Sequence, residues 1–370
     1  MKLGMFMQPQ HPPSRNAWET LAEDREAILL ADELGFAEAF VGEHVTDISE
    51  PISSCVAFLA SVAHETKNIV LGTGTINMPN SHPAHVAAQC AMLDHMLRGR
   101  FIMGISPGGL MSDAEVFGNL DADRNAMFQE CINMVLKIWE GDAPYELQGK
   151  YWTVTTKRTQ FTEIGQGRIL KPYQKPHPPI VGTVVAPFSK GVTEMAKRGW
   201  TPMSANFLMP EWVRTHWPKY VEGREAVGAT PLAADWRVAK SVFVADDDAT
   251  AKRYGLGPQG PYYQYFEQVS RKLIANGRLG IFKPDPNMPD AAVTPEFVTN
   301  KVTIAGTVNH VVEQILAYRE YIGDFGTLVY AAHDWVDPAL SKRSMQLMAE
   351  QVMPKVNAAI AAEKRTLVAA

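Results

Sequence analysis

Cysteine is scarce in this sequence. Cys55, Cys90 and Cys131 are the three among 370 residues. An odd number with no short spacing gives no disulfide framework and no thiolate metal site. All three fall in stretches with a helical pattern, so buried free thiols in a reducing compartment are expected. Excess basic charge is also missing. Lys and Arg total 35 against 40 Asp and Glu, and the net charge is −5 with no basic run. That removes the electrostatic case for nucleic acid or an anionic membrane as partner. No apolar stretch is long enough to cross a bilayer. The opening MKLGMFMQPQHPP enters a strand pattern at once, without the apolar core or small-residue cleavage site of a signal peptide. The expected compartment is therefore the cytoplasm. Neither HExxH nor a paired-cysteine motif occurs, which argues against a zinc hydrolase, and no metal is expected.

What is present is an alternation. Short apolar runs at 3–7, 37–41, 68–76, 101–105, 179–185, 201–205, 236–245 and 326–332 read as strands. Between them lie helical patterns, such as 19–34 stopping at Gly35, and one opening at Pro83 with Val86, Cys90, Leu93 and Leu97 on one face. Another carries Met127, Cys131, Met134 and Ile138, and a last one covers 338–353. Eight strands each followed by a helix predict an α/β chain folded as one (β/α)8 TIM barrel over residues 1–370. Two segments interrupt the alternation and read as insertions, about 141–178 and about 254–300. The second contains Tyr262, Tyr263, Tyr265 and Phe266, and long excursions of this kind in a barrel are usually lids or binding loops.

In a parallel barrel the reactive face lies at the C-terminal strand ends. The second strand runs into Glu43-His44, where an imidazole suits acid–base work near neutral pH or simply caps a loop. The third ends in Gly72-Thr73-Gly74-Thr75 and then Asn77, small residues that let a flat ring approach the backbone or form an ordinary turn. The fourth reaches Ser106-Pro107-Gly108-Gly109, which matches no dinucleotide or Walker fingerprint. The fifth leads to Ser189-Lys190-Gly191 at a helix start, which suits a phosphate or a plain Ser cap. The eighth ends in Ala332-His333-Asp334-Trp335, whose adjacent His and Asp point to opposite faces if the strand continues.

In order, these segments resemble the bacterial luciferase-like, FMN-dependent monooxygenases. The likeness rests on KLGMF at 2–6, Glu43-His44, GTGTINMPNSHP at 72–83, LDHM at 93–96, GRFIMGI at 99–105, Val116-Phe117-Gly118, and Arg124-x-x-Met127-x-x-Glu130. It extends from residue 2 to about 353, is densest over 37–140, and is greatest to the luciferase α-chain, diketocamphane and limonene monooxygenase groups. The resemblance implies reduced FMN supplied by a separate flavin reductase, reaction with O2, and a C4a-peroxyflavin that oxygenates a hydrophobic ketone, aldehyde or terpene-like substrate. It makes His44 the active-site histidine, with Glu43 beside it as a second catalytic candidate. It places a cis peptide at Gly74-Thr75 under the flavin ring, with Asn77 and Ser106 also on the cofactor, and the phosphate on Ser189, Lys190 and Gly191. Ser106 stands where luciferase has a cysteine, and Pro107 where it has a basic phosphate contact, so Lys190 is expected to supply that charge. A homodimer, or pairing with a similar subunit, is implied as well. Two other readings stay open: a deazaflavin-dependent oxidoreductase of the same superfamily, and a non-catalytic flavin-binding subunit.

Overall fold

Apolar runs covered on both faces make buried parallel strands, and eight of them do so here. They are β1 (Lys2–Met7), β2 (Glu38–Val41), β3 (Val70–Thr73), β4 (Phe101–Ser106), β5 (Ile180–Val184), β6 (Thr201–Ser204), β7 (Arg237–Val244) and β8 (Thr327–Ala331). In the computed structural model, which describes residues 1–369, they close into one parallel barrel with surrounding helices, the (β/α)8 class that the alternation predicts. By density of contacts the chain forms two compact units, residues 1–39 with 182–370, and residues 40–181.

In the smaller unit β3 and β4 pair with Leu71 opposite Phe101. The strand expected over 68–76 is broken. β3 stops at Thr73, the Gly74–Thr75 peptide is cis, and a short strand Ile76–Asn77 then places Asn77 opposite Ser106. Thr73 Oγ1 bonds both the carbonyl and the N–H of Gly104, at 2.7 and 2.8 Å. A Cβ on Gly104 would collide with the Thr73 carbonyl oxygen, so this contact needs glycine. Of the first five helices, α1 (Ala17–Glu33) belongs to the larger unit, while α2 (Cys55–Val62), α3 (Pro83–Met96), α4 (Met111–Val116) and α5 (Arg124–Glu140) lie in the smaller one. Ser54 and Asp123 cap α2 and α5 through their side-chain oxygens. Cys55, Cys90 and Cys131 are buried free thiols, as their helical positions suggested. The 141–178 insertion holds a hairpin of Glu146–Gln148 and Thr153–Thr155. Lys171 then binds the carbonyls of Ile138, Trp139 and Gly141 at the end of α5.

In the larger unit β1 runs beside β8, and β8 beside β7, which also pairs with β6. The half-buried Arg237 fork closes on the buried Glu38 with bonds of 2.7 and 3.0 Å. α6 (Lys190–Lys197) follows β5. The 254–300 segment is not a loop throughout, because α7 (Pro261–Ala275) fills its middle with Tyr262, Tyr265 and Phe266 buried. A short strand, Thr303–Gly306, pairs with β7 and is followed by α8 (Val308–Ile322); neither stands out in the sequence pattern. The last helical stretch passes 353 and continues over Met353–Ala369. Among the described residues no helix is long and apolar enough to cross a membrane.

Candidate active site

Each expected site residue lies at or just past the C-terminal end of its strand: Glu43 after β2, Gly74 after β3, Ser106 closing β4, Ser189 after β5 and Asp334 after β8. In the smaller unit hydrogen bonds join four of the expected site residues, Glu43, Thr75, Asn77 and Ser106. Glu43 Oε1 accepts the Asn77 N–H at 3.1 Å, and Asn77 Nδ2 donates to the Glu43 carbonyl at 3.1 Å. Glu43 Oε2 accepts from the Cys55 backbone N–H and thiol, at 3.1 and 3.0 Å. This carboxylate is thus committed to the backbone around it, and its geometry is that of a brace between β2, the Asn77 strand and α2. Burial pushes the Cys55 thiol well up, with the Glu43 charge adding to it, so this thiol stays protonated.

Asn77 passes the connection on. The Ser106 hydroxyl donates to Asn77 Oδ1 at 3.2 Å and accepts from the Thr75 hydroxyl at 2.6 Å and the Gly108 N–H at 3.1 Å. Gly104-x-Ser106-x-Gly108 has the spacing of a serine nucleophile elbow. No imidazole is bonded to this hydroxyl, however, so it is a polar wall rather than a nucleophile.

His44 is held at both ring nitrogens. Nδ1 lies 2.9 Å from Asp113 Oδ2 and Nε2 3.4 Å from Glu50 Oε2. Asp113 stands in the first turn of α4, and it also accepts N–H groups from Val45 and Thr46 and the Thr46 hydroxyl. Burial pushes the Asp113 carboxyl up, but the hydrogen bonds from His44 and Thr46 outweigh it and hold it at about 2. The result is a histidine clamped by a permanently ionised carboxylate, which is how acid–base histidines are oriented. Sequence reading missed Asp113, since a lone Asp in a helix start looks like a cap.

In the larger unit Ser189 stands at the N-cap of α6, yet its hydroxyl makes no capping bond. A Cβ on Gly191 would lie 3.3 Å from that hydroxyl, so glycine keeps the space above it open. Free N–H groups, a hydroxyl and the Lys190 ammonium at one helix start are the donor set of an anion site.

His333 and Asp334 face opposite surroundings. His333 Nε2 lies 2.9 Å from the Ser241 hydroxyl, and its ring packs against Tyr262 and Tyr265 with centroids 4.3 and 4.7 Å away. Asn206 joins the same group, bonding Ser241 at 3.3 Å and Tyr265 Oη at 3.2 Å. Burial drives His333 down to about 3 against the attraction of Asp334, so it is neutral, and its Nδ1 is buried without a partner. Asp334 instead binds His11 Nδ1 at 2.5 Å and Arg15 at 2.5 Å. His11 Nε2 reaches Asp24 at 3.2 Å, and Arg15 also grips Glu23 at 2.9 Å. His11, Glu23 and Asp334 offer oxygen and nitrogen atoms within 4.8 Å of one another, but the Arg15 guanidinium pairs with both carboxylates and His11 keeps its proton up to about 9, which disfavours a further cation there.

Comparison with known proteins places these features in a family. The model of the luciferase-like monooxygenases matches residues 1–324. The 4-hydroxyprotoasukamycin monooxygenase of Streptomyces nodosus subsp. asukaensis is 29% identical over 97% of this chain and 93% of its own length. The limonene 1,2-monooxygenase of Rhodococcus erythropolis is 27% identical over 96% of this chain and 86% of its own. Among solved structures, the oxygenating constituent of 3,6-diketocamphane monooxygenase from Pseudomonas putida, a type II Baeyer-Villiger monooxygenase in complex with FMN, aligns with a TM-score of 0.86 at 29% identity, covering 96% of this chain and 98% of that one.

Proposed function

Because the chain belongs to the luciferase-like monooxygenase family and is an FMN-dependent monooxygenase, we propose that it is the oxygenase half of a two-component system that takes reduced FMN from a separate flavin reductase and oxygenates an apolar ketone, aldehyde or terpene-like compound. The observation that carries this reading is the His44–Asp113 pair beside the Glu43–Asn77–Ser106 brace. The fold and the FMN-bound relative support the cofactor, and that relative's description as an oxygenating constituent supports the division into two components.

The residues fit the flavin. Gly74, Thr75, Asn77 and Ser106 offer a wall of small side chains and fixed hydroxyl and amide groups to a flat ring. The uncommitted Ser189 hydroxyl, Lys190 and the open space at Gly191 suit the phosphate. When bound, reduced FMN supplies the electrons that activate O2. His44 then holds or moves a proton at its imidazole, with Asp113 fixing the ring orientation and compensating its charge. Glu43 acts as a positioning residue in this reading, since its oxygens are spent on Asn77 and Cys55. Val45, Ile48, Met111, Val116 and Phe117 are exposed apolar side chains on the segments that carry His44 and Asp113, which supports an apolar substrate. We also propose that the chain works as a homodimer.

The test is anaerobic titration of the protein with reduced FMN, followed by exposure to 18O2 with a bicyclic ketone as probe. Saturable binding and one labelled oxygen in the product are expected. Reaction only with a reduced deazaflavin, by hydride transfer and without label, would replace this reading. Flavin binding with no turnover on any ketone, aldehyde or terpene probe would make the chain a binding subunit.

A further inference from the structure

One end of the smaller unit carries a groove of about 570 Å3 between the last turn of α3 and residues 165–175 of the insertion. His95, Arg168, Lys171 and Lys175 line it together with Leu170 and Tyr173, and no carboxylate is among its lining residues. That is a local positive charge on a chain whose net charge is −5. Lys171 is spent on carbonyls at the end of α5, and Lys175 Nζ gives one bond to the Pro172 carbonyl at 2.9 Å. Arg168 is exposed and has no acceptor among the described residues.

The groove is preformed. Gln174 fixes its wall through Asp94, with two bonds of 2.8 Å, and through the carbonyl of Phe101, the first residue of β4. His95 Nε2 bonds the Lys171 carbonyl at 3.0 Å, and the His95 and Tyr173 rings meet edge to face. Ser106 ends the same six-residue strand, so the groove lies at the opposite end of β4, about 16 Å away along it. Four large apolar side chains of this segment lie in water: Phe161, Ile164, Leu170 and Tyr173 are 56, 77, 50 and 54% exposed. Leu170 and Tyr173 line the groove beside its cations, an exposed apolar pair rimmed by charge of the kind found at interaction surfaces.

We propose that this groove docks an acidic segment of a separate protein, with carboxylates on Arg168 and Lys175 and an apolar side chain against Leu170 and Tyr173. A guanidinium without an acceptor favours a carboxylate, which it binds through two parallel bonds. Two exposed cations beside Leu170 and Tyr173 within one short stretch of chain suit an acidic segment carrying an apolar residue, and the hydrogen-bonded walls keep the ordering cost of the groove low. A partner seated here leaves the C-terminal end of β4, with Ser106 and the Asn77 brace, uncovered.

The experiment uses the full chain and a fluorescein-labelled nonapeptide of Glu and Asp with one Leu and one Phe, followed by fluorescence anisotropy. Saturable binding is expected. It should weaken about tenfold or more in the double variant Arg168→Glu, Lys175→Glu. It should also weaken in Tyr173→Ala, and with a peptide whose Leu and Phe are Ala. A benzophenone in place of the Phe should cross-link within residues 165–175. These side chains are exposed or half-buried and outside the oxygenation site, so melting temperature and turnover with supplied reduced FMN should stay at parental levels. Binding that ignores the charge reversal or the apolar anchors overturns the proposal, as does no saturable binding. Stronger competition by anionic vesicles or oligo(dT) than by unlabelled peptide overturns it in favour of a lipid or nucleic acid. Dissociation of a dimer by the double variant overturns it in favour of a second copy.

Discussion

His44 Nδ1 lies 2.9 Å from Asp113 Oδ2, although 69 positions separate the two residues. The loop after β2 carries the imidazole and the first turn of α4 carries the carboxylate. The contact gives the imidazole one orientation and a fixed counter-charge.

Replacing His44 with Ala should therefore remove chemistry and leave binding. The side chain sits at a strand end, outside a packed core face, so stability should fall by only about 1 kcal/mol. Product formation should drop roughly 10²–10⁴-fold, the usual worth of a positioned acid–base group. Reduced-FMN affinity, product yield and peroxide release are measured side by side. Parental product yield would make His44 structural.

Asp113→Asn separates orientation from charge. The amide can still accept from Val45 and Thr46, so the fold should persist at neutral pH while kcat falls. The acidic limb of the pH–rate profile should move to lower pH, because the imidazolium loses its counter-charge. Stability adds a second readout. The folded carboxyl is held at about 2, below its ordinary 3.8, so its contribution is full above that ordinary value and is lost as pH falls through about 2. Acid titration of the variant should lack that loss.

Ser189→Ala and Lys190→Ala test the phosphate site. Each removes one donor to a dianion, worth about 1.5–3 kcal/mol, so the Kd for reduced FMN should rise about 10- to 100-fold. Affinity for reduced riboflavin, which has no phosphate, should stay unchanged. Equal losses for both flavins would place the phosphate elsewhere.

Lys240 is a stability liability. It lies on β7, nearly fully buried, with its ammonium over the Tyr318 ring of α8 and no hydrogen-bond partner. Burial lowers it to about 7, against the attraction of Glu211. Lys240→Met should raise stability by about 1–3 kcal/mol at pH 6. The unfolded lysine keeps its proton up to about 10.4, so the parent gains stability as pH rises from 7, and the advantage of the variant should shrink over that window. Melting curves at pH 6 and pH 9 decide it; an equal difference at both would mean the buried amine carries no charge cost.

His11 works in the opposite sense. Burial opposes its charge, but the hydrogen bonds to Asp24 and Asp334 overcome that and raise it to about 9. Its contribution is complete below the unfolded value of 6.5 and is lost as pH rises through about 9. His11→Gln should cost about 3–5 kcal/mol near pH 6.5, since buried carboxylates lose their cation, and the gap to the parent should narrow by pH 9.5. Denaturant unfolding at the two pH values measures it.

The sequence by itself determined the strand–helix alternation, the eight strand ends and the residues that sit on them, and the buried free cysteines. Periodicity carries that information because it records which faces are covered by other elements. The cis Gly74–Thr75 peptide was expected from the family resemblance alone, because small residues at a strand end suit an ordinary turn equally well. Only the tertiary structure decided partners. Asp113 reads as a cap until the loop after β2 is laid over it, and Glu43 reads as an acid or base until Asn77 and Cys55 occupy its oxygens. His333 and Asp334 are neighbours in the chain, yet one is neutral beside Ser241 and the other is ionically bound to a histidine 323 positions away. The short strand at 303–306 and the buried helix inside 254–300 also escaped, the first for want of length and the second because its aromatic face resembles a lid. Side-chain chemistry depends on what lies within a few ångströms, and residues distant in the chain reach that range only when the fold closes.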